Sequence, residues 1–111
     1  MIQDIRKSYG KLIWTSDDVY YQIDYSGNSF LHDDKFILIL DESLDKVVVL
    51  DDKGKQIEEL SNSDEVSITY ILKHPRFGLS VVASIKNEKG EWNDKCLSFT
   101  SDGFKVISNV R

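Results

Sequence analysis

Short runs of β-branched and aromatic residues, closed by glycine, asparagine or paired carboxylates, recur about every ten residues along this chain. Runs of that length are too short for stable isolated helices, and the apolar residues almost nowhere fall at helical spacing. Strands bounded by turns fit the pattern. It predicts an all-β chain with strands at 11–15, 19–25, 36–40, 46–50, 56–60, 66–73, 79–86, 95–100 and 104–109. IRKSYG, at 5–10, is long enough only for a helical turn. SGNSFLHDD, at 26–34, reads as a loop because Gly, Ser, Asn and Asp crowd it.

Within this pattern lies a repeat. DKVVVLDDKGKQI, starting at Asp45, lies over DKCLSFTSDGFKV, starting at Asp94, so that Asp45, Lys46 and Gly54 fall on Asp94, Lys95 and Gly103. Both copies run from an apolar strand through a polar turn closed by glycine into a second strand, which is hairpin patterning. Each is preceded by a very apolar strand, FILIL or LSVVASI, and before that by VYYQI or VSITYIL. Four strands per unit at this period is the spacing of propeller blades. KVVVLDDKGKQIEEL and the stretch from HPRFGLSVVAS to SDGFKVI resemble successive blades of WD40-like propellers. A closed propeller needs at least four blades, and the chain has length for two. The expectation is a single all-β domain with an internal two-fold repeat, about 11–60 and 66–110. Its two antiparallel, blade-like sheets would pack as a sandwich. A partly open barrel, or several copies building a larger propeller, are the alternatives.

At 111 residues and 41% hydrophobic, the chain can bury a core without a staple. Cys96 has no partner for an internal disulfide, and no Cys/His spacing suggests zinc. Neither a leader-like apolar segment nor a run of about 20 apolar residues occurs. A cytoplasmic protein without a membrane span is expected.

Charge is distributed unevenly. Residues 1–65 carry 15 Asp and Glu against 7 Lys and Arg, whereas residues 66–111 carry 4 against 7, giving −5 overall. Acidic pairs recur at Asp17-Asp18, Asp33-Asp34, Asp41-Glu42, Asp51-Asp52, Glu58-Glu59 and Asp64-Glu65, mostly where strands should end. Such a surface repels nucleic acid and anionic membranes and attracts basic proteins.

Chemistry-bearing residues are sparse. His32, Asp33 and Asp34 are consecutive, and side chains on an extended backbone alternate, so the three do not suit one metal ion. His74 falls in a strand connection. Asp51, Asp52 and Gly54 lack the remaining spacing of a calcium loop and suit a hairpin turn. Cys96 matches Val47 in the repeat and is expected to be a buried apolar residue. No nucleophile elbow or phosphate-cradling glycine loop is present, so neither enzyme activity nor a cofactor is expected. Tyr20, Tyr21 and Tyr25 fall on both faces of one strand, which places at least one at the surface. Trp92, between Glu91 and Asn93, is a displayed aromatic.

A small acidic chain of this kind is similar to the immunity proteins of bacterial toxin systems, including contact-dependent growth inhibition. The likeness rests on length, acidity, cytoplasmic character and the lack of catalytic residues, and it brings no site residue with it. It implies a basic protein partner, a toxin nuclease domain, whose cationic active site is occluded by carboxylates. Asp17, Asp18, Asp33, Asp34, Asp41 and Glu42, with Tyr25 and Trp92, are the candidate contacts. The other expectation is an assembly module that completes a propeller or sheet with other chains.

Overall fold

A computed structural model describes residues 1–24, 27–41, 45–74, 78–100 and 102–109. Among the described residues there are eleven strands: β1 Ile2–Ser8, β2 Lys11–Ser16, β3 Val19–Asp24, β4 Gly27–His32, β5 Phe36–Asp41, β6 Lys46–Leu50, β7 Gln56–Ser61, β8 Val66–His74, β9 Gly78–Lys86, β10 Trp92–Thr100 and β11 Gly103–Asn109. They form three antiparallel sheets, β1-β2-β3, β4-β5-β6-β7 and β8-β9-β10-β11, each in sequence order and none closed. The all-β expectation is met, but there are three sheets where the spacing suggested two.

The difference lies in two strands. β1 takes in much of the segment with length only for a helical turn, and β4 lies within the expected loop. In β1 a bulge between Gln3 and Arg6, with Asp4 at φ 54°, shifts the register. Ile2 and Ile5, three apart, therefore both pack on the same core, which no period-two pattern reveals. In β4 only Phe30 and Leu31 are strongly apolar, yet the strand pairs with β5 along its whole length, from Gly27 opposite Asp41 to His32 opposite Phe36. VYYQI is accordingly β3 of the first sheet rather than the opening strand of the four-stranded one. The repeat keeps its sense at the level of sheet position: β6 and β10 are third strands, β7 and β11 fourth. Val47 and Cys96 are both buried, Cys96 at 2% exposure.

The described residues fall into two compact units. The first holds β1 to β5 and residues 47–59; the second holds β8 to β11 with 45–46 and 60–65. In the first, Ile2, Leu12 and Trp14 of the three-stranded sheet meet Ile37 and Leu50 of the four-stranded sheet. Leu38, Leu40, Val47 and Val49, on the other face of β5 and β6, are buried too. Burial of both faces explains why FILIL and VVVL are unbroken apolar runs. In the second unit Ser80, Val81, Val82 and Ala83 are buried in succession along β9, flanked by Ile68 and Ile71 of β8 and by Cys96 and Leu97 of β10.

Two hairpins share one turn. In DDKGK the Asp51 carboxylate accepts from the backbone N–H of Lys53 and of Lys55, each at 2.9 Å. In NEKGE the Asn87 side-chain oxygen accepts from Lys89 at 2.9 Å and Glu91 at 3.0 Å. Gly54 and Gly90 supply the left-handed residue, at φ 82° and 81°. Replacing Asp51 or Asn87 by alanine removes one oxygen that accepts two hydrogen bonds, with an expected loss of about 1–2 kcal/mol each in urea unfolding. Asp51→Asn, which keeps the oxygen, should cost well under half of that.

Candidate functional site

The first unit assembles three of its acidic turns at one end. β2 and β3 join through Asp17 and Asp18, at φ 51° and 64°, a two-residue turn with both residues left-handed. β4 and β5 join through Asp33, Asp34 and Lys35, with Asp33 and Asp34 at φ 53° and 55°. Aspartate tolerates this region better than most residues because its short polar side chain can bond locally to the backbone. The pairs are thus chosen first by turn geometry, and the charge comes with it.

Register places these turns together. Leu50, the last residue of β6, lies opposite Ile37 near the start of β5, so the Asp51–Lys55 turn shares an end of the sheet with Asp33–Lys35. Hydrogen bonds tie the N-terminal sheet to both turns. Ile2 N–H donates to the Asp34 carbonyl at 2.7 Å, Trp14 Nε1–H to the Asp52 carbonyl at 2.7 Å, and Ser16 Oγ to Asp52 Oδ2 at 2.8 Å. Ser16 closes β2 opposite Val19, and Asp17 follows it directly. Three turns widely spaced in sequence therefore bring Asp17, Asp18, Asp33, Asp34, Asp51 and Asp52 to one rim.

Lys35, Lys53 and Lys55 share the rim, but among the described residues no lysine or arginine forms an ion pair with any of these six carboxylates. Asp33 Oδ2 lies 3.4 Å from His32 Nε2. Asp33 has left the strand conformation, so alternation does not separate it from its neighbour. Asp51 and Asp52 spend part of their hydrogen-bonding capacity on the turn and on Ser16, whereas Asp17, Asp18 and Asp34 are exposed. The rim can attract basic side chains by charge, and among the described residues no group of three or more His, Cys, Asp or Glu is placed to hold a metal ion.

The candidates from the sequence divide accordingly. Asp17, Asp18, Asp33 and Asp34 lie on the rim. Asp41 ends β5 opposite Gly27, at the other end of that sheet. Trp92 begins β10 in the second unit opposite Lys86 and is 48% exposed. Tyr25 and Glu42 lie outside the described residues, as does the side chain of His74. Asp51 and Asp52 were not among the candidates, since a hairpin turn explains them; what marks them is the position of that turn. Tyr20, whose neighbour Tyr21 stacks on Trp14 with centroids 5.8 Å apart, is the aromatic of β3 that faces outward.

No helix among the described residues is long and apolar enough to cross a membrane. No protein-family model, curated protein or solved structure matches the chain.

Proposed function

We propose that this chain is an acidic inhibitor, an immunity protein that neutralises a basic toxin domain, a nuclease, in the cytoplasm. The observation that carries the proposal is the convergence of three aspartate turns on one rim without ion-paired lysine or arginine among the described residues. Aspartates on tight hairpin turns carry short side chains, which lose less conformational freedom on binding than long flexible ones. They steer a cationic surface into contact and then pair with it, and close pairs of this kind can couple by ~1.5–7 kcal/mol. A nuclease binds its phosphate backbone through such cations, so occupying them excludes the substrate. The inhibitor itself performs no bond chemistry.

The test is capture on immobilised protein from cells expressing the adjacent reading frame, followed by a nuclease assay. The expected result is one basic protein, retained at low salt and released as salt rises, whose nuclease activity falls as the chain is added back. Absence of any basic partner, or retention indifferent to salt, contradicts the proposal.

A second reading has its own support. Two four-stranded open meanders in one chain follow the strand order of propeller blades. As an assembly module the chain would stack such sheets on those of other copies. Sedimentation at micromolar concentration separates the two: a monomer favours the inhibitor, and a closed oligomer favours assembly.

A further inference from the structure

The outward face of the N-terminal sheet carries a second feature, of opposite character to the rim. A groove of about 400 Å³ is lined by Arg6, Ile13, Tyr20, Tyr21 and Gln22. Its order follows from register: Arg6 of β1 lies opposite Ile13 of β2, and Ile13 lies opposite Gln22 of β3. These three side chains form a row across the sheet, about 10 Å long at the usual strand spacing. Tyr20, 72% exposed, stands beside the row opposite Thr15. Among the described residues no carboxylate pairs with Arg6, whereas Lys11 on the same face is engaged by Asp24 at 3.1 Å. A cation without an ion-pair partner, an aliphatic side chain, an exposed ring and a primary amide are thus presented in a fixed order.

We propose that this groove binds the C-terminal end of a peptide that finishes in an apolar residue. The Arg6 guanidinium takes the terminal carboxylate in a two-pronged pair, the geometry its planar fork favours. The last side chain lies over Ile13 against the Tyr20 ring. The Gln22 amide, donor and acceptor together, meets a peptide group further back. An extended chain rises about 3.3 Å per residue, so a row of this length accommodates roughly three residues. The rim is not involved, and the inference does not depend on the proposed inhibitor function.

The probe is acetyl-Ala-Ala-Phe with a free carboxylate, titrated into the isotope-labelled full chain and followed by NMR. Saturable shifts centred on Arg6, Ile13, Tyr20 and Gln22 are expected. The same peptide ending in a carboxamide, and the variant Arg6→Gln given the free acid, should each bind about tenfold more weakly, as loss of a charge-assisted pair implies. Arg6→Lys, which keeps charge without the fork, should fall between, and Tyr20→Ala should weaken both acid and amide. All three substitutions are at exposed positions, and unchanged circular dichroism verifies the fold. Equal binding of acid and amide, shifts centred elsewhere, or no saturable shift overturns the carboxylate site. Acetyl-phenylalanine binding as tightly as the tripeptide overturns its assignment to peptides.

Discussion

Trp14→Ala should lower the unfolding free energy by about 3–5 kcal/mol, a large share of the ~5–15 kcal/mol that holds a typical domain. Trp14 is fully buried where the two sheets of the first unit meet, beside Leu12, Ile2, Ile37 and Leu50, and stacks on Tyr21. Its indole N–H is also the direct link to the Asp52 carbonyl, so truncation opens a cavity and removes that carbonyl's partner in one step. Trp14→Phe keeps much of the volume and loses the hydrogen bond, and should cost about 1–3 kcal/mol. Urea unfolding followed by circular dichroism measures both. A loss below about 1 kcal/mol for the alanine variant would mean that Trp14 does not join the two sheets.

Gly54→Ala should cost about 2–4 kcal/mol, unusually much for a change of one methyl group in a surface turn. One part is conformational, because Gly54 sits at φ 82°, a region that alanine enters only with strain. The other part is steric: a Cβ there would lie 3.2 Å from Trp14 Cη2 and 3.3 Å from Cζ2, against a ring with no free space to move into. The two parts separate in a double-mutant cycle. With Trp14→Ala already present the clash is gone and the backbone strain remains, so Gly54→Ala should then cost only about 1 kcal/mol. Additive losses would show that the glycine serves the turn alone. Gly90 is the internal comparison, since it has the same φ but no contact with an aromatic ring.

The fold class was legible because nine of the eleven strands carry their own pattern of apolar residues and turns. β1 and β4 were not, for two physical reasons. A two-residue period puts Ile2 and Ile5 on opposite faces and only the bulge at Asp4 brings them to one core, while β4 contributes pairing more than apolar burial. Missing β4 also changes where the turns fall. In an up-and-down chain alternate turns share an end, so without β4 the Asp41-Glu42 connection groups with Asp17-Asp18, and Asp51-Asp52 goes to the other end. One additional strand reverses that parity, which is why Asp41 lies away from the rim while Asp51 and Asp52 lie on it. The paired aspartates were visible as turns from composition alone, since left-handed residues in tight hairpins favour Asp and Asn. Their convergence is a matter of long-range register, which no local pattern encodes. The Arg6 groove is equally illegible, because its row takes one residue from each of three strands.

If the rim, rather than net acidity, is the binding surface, two quadruple variants of equal charge change will differ in their affinity for the partner. Asp17→Asn, Asp18→Asn, Asp33→Asn and Asp34→Asn together remove four rim charges while keeping residues suited to positive φ, so the turns remain intact. Asp64→Asn, Glu65→Gln, Glu88→Gln and Glu91→Gln remove the same charge from exposed positions of the second unit. Affinity for the captured basic partner is then measured for both across a salt series. The rim variant should bind at least about a hundredfold more weakly, with a shallower salt dependence, and the control should stay within a few fold of the parent chain. Equal weakening of the two, or a rim variant that binds like the parent, would show that the rim is not the binding surface.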